Sequence, residues 1–286
     1  MNIIQVSNLS KCYSDSYVLE DINFSVKQGS FTALLGKNGS GKSTILNILM
    51  GQENIDKGEC LIFGQSIIKD PYLFKNDIGH VSEKINFNYP LAVDDFLNRF
   101  GKFFENFDFE WLHKCAKELD IPLNKSFEGY SRGQKMQIVL LSAMAHKPKL
   151  LLIDEVTSVL DATSRNYFMT LLKNFSNEGG TVVITTNIVS EVQSYCSDVI
   201  FLDDKKVKFQ NEIQGIPSDF RKIRLKSPDH PILLASGVRW IGVNSDGTQS
   251  YIVPESILSN FENYLEDKRA VTLEDLYIYH SQKDVL

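Results

Sequence analysis

The chain has 286 residues, of which 43% are hydrophobic and 23% charged, and its formal net charge at pH 7 is −6. This composition is that of a folded globular protein and excludes disordered and fibrous classes. The acidic balance argues against a general nucleic-acid-binding surface, which needs clustered Lys and Arg. The length predicts one large domain with a smaller appendage.

The sequence shows neither a targeting segment nor a membrane span. The N-terminal residues lack a basic stretch followed by an apolar run, and the roughly 18 consecutive apolar residues of a span do not occur. The cysteines are scattered without the spacing of a zinc site: Cys12, Cys60, Cys115 and Cys196. We therefore expect a chain that works in a reducing cytoplasm and does not cross a membrane unaided.

Short apolar runs alternate with helical patterns over the first 210 residues. Strands are predicted at 3–9, 22–26, 31–35, 149–153 and 181–185, and a helix at 42–50. The run at 149–153 is continuously aliphatic, which is typical of a central parallel strand covered on both faces. The alternation predicts an α/β core with a parallel sheet.

An aromatic-rich helical segment interrupts this alternation. Helices are predicted at 94–109 and 111–119. The first carries six phenylalanines: Phe96, Phe100, Phe103, Phe104, Phe107 and Phe109. These rings suit the core of a helical subdomain, and a groove for a partner protein is the alternative interpretation.

The alternation of strand and helix patterns ends after the predicted core. A hairpin of 199–202 and 207–209 closes the main domain, and beyond it we predict a strand at 222–226 and a hairpin around 245–247. Two short helices are predicted to begin near Pro254 and Thr272.

A phosphate-binding loop is predicted between the strand at 31–35 and the helix at 42–50. Its residues fit the pattern G-x-x-x-x-G-K-[ST]: Gly36, Lys37, Asn38, Gly39, Ser40, Gly41, Lys42, Ser43 and Thr44. The glycines let successive backbone N–H groups wrap phosphate oxygens at the positive end of the helix. Lys42 would reach the β- and γ-phosphates, and Ser43 would ligate Mg²⁺. The pattern predicts a nucleoside triphosphate site, and GTPases, kinases and motors share it.

Two carboxylates end the aliphatic strand at 149–153. Asp154 is placed to hold Mg²⁺ through its water shell, and Glu155 to polarise the attacking water. A solvated strand cap would explain such a pair by itself. Beside a phosphate-binding loop, the pair indicates hydrolysis.

The segment Tyr130–Lys135 (Y-S-R-G-Q-K) lies between these motifs and resembles the signature motif of ABC ATPases, usually written L-S-G-G-Q. A helix N-cap at Ser131 is the alternative for these residues alone. The order of phosphate loop, helical insert, signature and carboxylate strand is also that of the family. The resemblance covers residues 1–210 and implies an α/β P-loop NTPase core with a parallel sheet, an antiparallel β subdomain and a helical subdomain at about 84–140. Residues 211–286 are expected to form a small α+β accessory domain.

The resemblance implies roles for further residues. Tyr13 would stack on adenine, and Asp161 ends a loop that reaches across a dimer of cassettes. In the family the signature acts in trans, so Ser131, Gly133 and Gln134 would contact ATP bound to a second subunit. The implied cofactors are ATP and Mg²⁺. The implied partners are a second ABC ATPase subunit, in a homodimer or a heterodimer, and a transmembrane permease contacted by the helical subdomain.

Two positions depart from the family pattern. Glu83 stands where a Gln normally senses the γ-phosphate and Mg²⁺, and an ionised carboxylate cannot donate a hydrogen bond. Asn187 stands where a His normally contacts the γ-phosphate, and its amide is shorter and never cationic. Losing one well-placed donor costs about 3 kcal/mol, and a partial substitute costs less. We expect slow but real turnover, with Lys42, Glu155 and Asn187 as catalytic residues and Glu83 still near Mg²⁺.

The sequence thus predicts the ATP-hydrolysing, energy-coupling subunit of an ABC transporter, peripheral on the inner face of the cell membrane. Val271–Tyr277 is similar to the tail of bacterial drug, peptide and lipid exporter cassettes, although a capped amphipathic helix would look alike. One alternative is a degenerate cassette that binds ATP and leaves hydrolysis to a paired subunit, as Glu83 and Asn187 suggest. Another is a soluble ABC ATPase acting on ribosomes or DNA, which the acidic charge and the single cassette disfavour.

Overall fold

The structure is a computed structural model that describes residues 1–14, 16–67, 74, 76–82, 91–215, 219–225 and 237–281, with the backbone alone over 260–268. Within these ranges, every helix is too short or too polar to span a membrane. The four cysteines are free thiols.

Strands and helices alternate along most of the chain. The strands are β1 (Asn2–Tyr13), β2 (Ser16–Lys27), β3 (Phe31–Leu35), β4 (Lys57–Ile62), β5 (Gln65–Ser66), β6 (Ile78–Ser82), β7 (Leu150–Asp154), β8 (Thr181–Thr186), β9 (Asp198–Asp203), β10 (Lys206–Glu212), β11 (Phe220–Leu225), β12 (Arg239–Val243), β13 (Gln249–Pro254) and β14 (Leu265–Ala270). The α-helices are α1 (Lys42–Leu49), α2 (Val93–Gly101), α3 (Phe109–Glu118), α4 (Arg132–Ala145), α5 (Ala162–Asn177), α6 (Val189–Tyr195) and α7 (Leu273–Ser281). Short 3₁₀ helices cover Phe127–Gly129, Val156–Val159, Ile213–Gly215 and Glu255–Tyr264.

A six-stranded sheet in the order β10-β9-β3-β8-β7-β6 forms the centre. Its neighbouring strands are parallel except for the β9–β10 hairpin, and β3, β7 and β8 are buried along their whole length. This confirms the parallel α/β core that the aliphatic runs predict. Because β3, β7 and β8 are parallel neighbours, their carboxyl ends bring Leu35, Asp154 and Thr186 to one edge of the sheet.

The two faces of this sheet pack against different layers. On β3, Leu34 faces a core shared with α1 and a four-stranded antiparallel sheet of order β2-β1-β4-β5. Phe31, Ala33 and Leu35 face a second core shared with the helical segment. Because alternate residues of β3 face these two cores, the predicted antiparallel and helical layers lie on opposite sides of the central sheet. Burial of each large apolar side chain stabilises the fold by about 1.5–3 kcal/mol relative to exposure.

The predicted helix at 94–109 is wrong in extent, because α2 ends at Gly101 and a separate helix starts at Phe109. A Cβ on Gly101 would lie 2.4 Å from the Phe109 ring and 2.9 Å from the Phe107 ring, so the chain packs back on itself here. Asp108 then caps α3 by accepting a hydrogen bond from the Trp111 N–H at 2.9 Å.

Most of the aromatic side chains of this segment form one packed cluster. The ring centroids of Phe100 and Phe104 are 5.0 Å apart, and those of Phe107 and Phe109 are 4.6 Å apart. Phe104 also stacks on His146 at the end of α4, at 4.3 Å. Phe103 is different because its side chain is 79% exposed. The rings thus serve mainly as subdomain core, and one of them faces solvent.

The C-terminal part is a four-stranded antiparallel sheet of order β12-β13-β11-β14 followed by α7. The hairpin predicted around 245–247 joins β12 to β13, and the helix predicted near Pro254 is a 3₁₀ helix. Leu273 of α7 belongs to the main core, and the Tyr277 ring lies 5.5 Å from that of Phe201 on β9. Helix α7 therefore attaches this sheet to the central one.

Candidate functional site

The phosphate-binding loop connects β3 to α1 and holds the ammonium group of Lys42 in a polar cage. Lys42 is 3% exposed, and its Nζ donates to the carbonyls of Gly36 at 2.9 Å and Lys37 at 3.0 Å. The same Nζ lies 2.8 Å from Oε1 of Glu155. A cavity of about 300 Å³ adjoins this cage, and its lining includes Asn38, Gly39, Gly41, Lys42, Ser43, Thr44 and Glu155. The loop thus lies between a strand and a helix, as predicted, and borders a cavity.

Two glycines of the loop are required by close packing. Gly41 has a φ of 105°, and a Cβ there would lie 2.5 Å from Cδ2 of Leu19. A Cβ on Gly36 would lie 2.3 Å from the carbonyl oxygen of Leu202. Any larger residue would push the loop away from the strands that support it.

Asp154 accepts two hydrogen bonds through one oxygen. The Ser43 hydroxyl donates to its Oδ1 at 3.1 Å, and the Thr185 hydroxyl donates to the same atom at 2.6 Å. Ser43 and Asp154 carry hard oxygen atoms of the kind that Mg²⁺ takes together with substrate phosphates and water, so these residues would fit the metal. Glu83, the third predicted metal neighbour, lies outside the described residues.

Thr185 was not predicted as a site residue, although its hydroxyl contacts both Asp154 and Glu155. Its hydroxyl also accepts a hydrogen bond from the Glu155 N–H at 2.9 Å. Glu155 has left-handed backbone geometry, with φ 47° and ψ 29°. The signal available in the sequence is the pair of hydroxyls, Thr185 and Thr186, that ends an otherwise aliphatic strand.

Asn187 follows β8 and lies beside the phosphate-binding loop. Its Nδ2 donates to Oδ1 of Asn38 at 3.2 Å. Since Asn38 lines the 300 Å³ cavity, this contact brings the Asn187 amide to the edge of that cavity. Asn187 thus lies beside Asn38, and its role toward a phosphate stays a prediction.

Tyr13, at the end of β1, is 41% exposed and lies near the start of α1. Its ring is 5.2 Å from the ammonium of Lys11. Burial and a hydrogen bond with Glu53 raise the pKa of its hydroxyl, which Thr44 of the phosphate-binding loop also contacts. An exposed aromatic ring at this position is available for stacking on a planar base.

The signature residues begin α4 and line a different part of the surface. Ser131 and Gln134 form a reciprocal capping box, in which Ser131 Oγ accepts from the Gln134 N–H at 3.2 Å and Gln134 Oε1 accepts from the Ser131 N–H at 3.1 Å. A Cβ on Gly133 would lie 3.3 Å from the Val159 carbonyl. Within the described residues, the structure brings none of these three to the phosphate-loop cavity of the same chain.

Asp161 is held as the N-cap of α5. It accepts from the N–H of Ser164 at 2.9 Å and from its hydroxyl at 2.7 Å, and these bonds lower the pKa of its carboxyl. Like the signature, it does not line the 300 Å³ cavity.

A buried carboxylate that the sequence analysis missed supports the loop before Asp161. Glu191 is 7% exposed, and its Oε2 accepts from the hydroxyls of Thr157 and Thr186, each at 3.0 Å. Arg165 lies 3.5 Å from the other carboxylate oxygen and donates to the Thr157 carbonyl at 3.0 Å. This network connects the loop after Asp154 and Glu155 to the end of β8.

Comparison with known proteins gives a consistent result. A sequence model of the ABC transporter family matches residues 19–158. The zinc uptake system ATP-binding protein ZurA of Listeria innocua is 32% identical over 218 residues, which are 71% of this chain and 83% of the relative. The linearmycin resistance ATP-binding protein LnrL of Bacillus subtilis is 31% identical over 206 residues, which are 70% of this chain and 66% of the relative.

Solved structures show the same fold. The dimeric structure of a bacterial ABC transporter cassette matches with a TM-score of 0.65 and 26% identity, over 74% of this chain and 100% of that chain. A dimeric cassette in a post-hydrolysis state with ADP and Pi matches with a TM-score of 0.66 at 24% identity, over 74% of this chain and 100% of that chain. The fold, the phosphate-binding loop and these relatives together show that the chain belongs to the family of ABC transporter ATP-binding proteins.

Proposed function

We propose that this chain hydrolyses ATP in a Mg²⁺-dependent reaction and couples hydrolysis to transport through a separate membrane permease. The observation that carries the proposal is the convergence of Lys42, Ser43, Asp154 and Glu155 at the end of the central sheet. These are the cation, the metal ligands and the base that phosphoryl transfer to water requires.

Each residue of the site has a separate role in the proposed reaction. Lys42 leaves Glu155 and neutralises charge on the β- and γ-phosphates, which frees the carboxylate to accept a proton from the attacking water. Ser43 and Asp154 would hold Mg²⁺, which when bound would further neutralise phosphate charge. The Asn187 amide donates to the γ-phosphate in place of the usual histidine. Tyr13 stacks on the adenine, and the glycines with the backbone of Asn38, Ser40 and Thr44 form the loop around the phosphates.

The site is completed by a second cassette. Ser131, Gly133 and Gln134 lie away from the cavity of their own chain, as a motif that acts in trans requires. Asp161 would reach the partner from the neighbouring loop. The partner is a second copy in a homodimer or a related subunit in a heterodimer, and the dimeric cassettes of the same fold support this assembly.

The helical subdomain, about residues 84–140 of a cassette spanning 1–210, is the proposed contact with the permease. Its exposed Phe103 is a suitable anchor, since aromatic side chains are enriched at protein interfaces. This contact would hold the chain on the inner, cytoplasmic face of the membrane. The segment 211–286 forms the proposed accessory domain.

Export is the proposed direction, supported by the similarity to a resistance protein. The tail motif at 271–277 adds little support for export, because a capping box explains its Thr272 and Asp275. The Thr272 N–H donates to the Asp275 carboxylate at 2.9 Å, and the Asp275 N–H donates to the Thr272 hydroxyl at 3.1 Å. The similarity to a zinc uptake protein supports import instead. Substrate flux in inside-out vesicles would distinguish the two directions.

The proposed function is tested by measuring Mg²⁺-ATPase activity of the purified chain, alone and with the membrane protein that co-purifies with it. We expect turnover that requires Glu155. ATP binding without any Glu155-dependent turnover would favour the degenerate cassette instead. Co-purification with ribosomes or DNA rather than a permease would favour a soluble, non-transport ATPase.

A further inference from the structure

A second cavity lies between the phosphate-binding loop, the β9–β10 turn and the C-terminal part of the chain. Its volume is about 650 Å³, within the range of roughly 300–1,000 Å³ that is typical of small-molecule sites. Asn38 and Gly39 line both this cavity and the nucleotide cavity. The two spaces therefore share one wall of the phosphate-binding loop.

Cations converge on this second cavity. Lys37, Lys205, Lys208 and Arg239 all line it, although the chain as a whole carries a net charge of −6. Lys37 donates a hydrogen bond to the carbonyl of Ser281 at the end of α7, which fixes one ammonium at the wall. Since such a concave space partly excludes water, these charges attract an anion more strongly than they would on an open surface.

The hydroxyl of Ser40 is a buried polar group of the same cavity. Ser40 is 7% exposed and lines this cavity rather than the nucleotide cavity. Its Oγ has no hydrogen-bond partner among the described residues. A Cβ on Gly36 would lie 2.7 Å from this Oγ and 2.3 Å from the Leu202 carbonyl, so the hydroxyl lies on the β9 side of the loop. Buried hydroxyls are normally paired, and a ligand oxygen here would complete the pairing.

Rings and carboxylates complete the lining. The rings of Tyr279 and His280 are 5.0 Å apart. Burial and two nearby cations lower the pKa of His280 to about 4, so the ring is neutral at pH 7. Asp203 and Asp204 line the cavity at the β9–β10 turn, where they can accept hydrogen bonds from hydroxyl or amino groups. A ligand that combines an anion, a ring and hydroxyl groups matches this lining.

We propose that this cavity is a second ligand site that binds a phosphorylated small molecule of nucleotide size. The phosphate lies among the lysines and accepts a hydrogen bond from Ser40, and the ligand ring packs beside Tyr279 and His280. Because the cavity shares Asn38 and Gly39 with the nucleotide site, occupancy of one site changes the affinity of the other reciprocally. The inference does not depend on hydrolysis by this chain.

The test uses AMP and, separately, inorganic phosphate as probes of the full chain. Tyr13→Ala is introduced to weaken binding of AMP in the nucleotide cavity, because the Tyr13 ring is the proposed contact to adenine there. The His280 ring is followed by NMR, with His280→Gln to assign its signal. We expect a saturable shift of the His280 signal with AMP. Lys208→Glu should weaken this binding about tenfold, since it removes a charged contact to phosphate. Lys206→Glu is the matched control, because Lys206 pairs with Glu20 at 3.3 Å outside the cavity and its reversal should leave AMP affinity unchanged.

Three results would overturn the proposal. The first is an unchanged His280 signal at all AMP and phosphate concentrations. The second is an equal loss of AMP affinity in Lys206→Glu and Lys208→Glu. The third is a stronger shift with an oligoglutamate peptide than with AMP, which would make the cavity a protein-docking surface. The ATPase activity of the wild-type chain is a separate readout, so failure here is distinguishable from failure of the proposed hydrolysis.

Discussion

The ammonium of Lys42 and the carboxylate of Glu155 form an ion pair of 2.8 Å at the end of the central sheet. In the proposed cycle the phosphates of ATP need the same ammonium, so ATP must replace this pair. The bonds from Lys42 to the Gly36 and Lys37 carbonyls keep the ammonium in the loop during the exchange. In the proposed cycle, this exchange would couple nucleotide binding to release of the Glu155 carboxylate.

Glu155→Gln separates binding from hydrolysis. Loss of the general base should lower turnover at least about 100-fold. The same change removes a carboxylate that competes for Lys42, so ATP should bind about tenfold more tightly. Phosphate release and equilibrium dialysis with labelled ATP measure the two effects. Glu110→Gln, at an exposed position of α3, is the control and should change neither quantity. Weaker ATP binding by Glu155→Gln would contradict the exchange.

Asn187→His should raise turnover about tenfold, because imidazole restores a longer donor that can carry positive charge in the transition state. Asn187→Ala should lower it, since the amide that contacts Asn38 at 3.2 Å is lost. Steady-state ATPase rates at saturating ATP provide the comparison. If histidine and alanine gave the same rate as asparagine, position 187 would have no part in hydrolysis.

Thr185→Val removes the hydroxyl that bonds both Asp154 Oδ1 and the Glu155 N–H. The partly buried Glu155 N–H and the Asp154 carboxylate would then lose a partner, and the free energy of unfolding should fall by about 1–3 kcal/mol. Weaker Mg²⁺-dependent ATP binding should accompany this loss. Thr185→Ser keeps the hydroxyl and should retain most of both properties. Urea unfolding and ATP titration with and without Mg²⁺ test the pair of variants.

Ser131 combines a structural role with a proposed role in trans, and two substitutions separate them. Ser131→Ala removes the N-cap of α4 and should cost about 1 kcal/mol of stability. Ser131→Asp keeps a capping oxygen but adds negative charge where the partner's ATP phosphate would lie. We expect near wild-type stability and loss of ATP-driven dimerisation for Ser131→Asp, measured by thermal unfolding and by size-exclusion chromatography with ATP. Normal dimerisation of this variant would refute the role in trans.

The central part of the site could be predicted from the sequence because its motifs are local. Gly36–Thr44 and Asp154–Glu155 each follow a buried strand, and parallel strands bring such ends to one edge of a sheet. The signature motif indicated the family, because its order relative to the phosphate-binding loop and the carboxylate strand is specific to ABC ATPases. Local patterns thus predicted that the loop and the two carboxylates, which we propose as metal ligand and base, lie together at this edge.

Features that depend on tertiary packing were missed. The role of Thr185 arises only where β8 lies beside β7, and that of Glu191 only where α6 meets Thr157. The extent of the helix at 94–109 was wrong because Gly101 contacts rings that follow it in the chain. The contact between Lys37 and Ser281 joins residues too far apart for any local pattern to reveal.

His280 makes the stability of the folded chain depend on pH. Its ring lies 5.8 Å from that of Phe201 and 5.5 Å from that of Phe209, and this burial lowers its pKa to about 4. Lys208 and Arg239 oppose its protonation as well. The unfolded chain binds the proton near the ordinary value of 6.5, whereas the folded chain does so only near 4. Between these values the unfolded state holds more protons, so stability is lost as the pH falls.

The thermal unfolding midpoint should therefore be lower at pH 5 than at pH 7, and His280→Gln should reduce this difference. Burial also lowers the pKa values of His80 and His146. These two residues contribute equally to the change of stability with pH in wild type and in His280→Gln. The informative quantity is thus the difference between wild type and His280→Gln, recorded by calorimetry across this pH range. Equal slopes for the two proteins would mean that His280 is protonated as readily in the folded chain as in the unfolded one. A ligand phosphate in the second cavity should reduce the wild-type slope, because a nearby anion favours the charged imidazole.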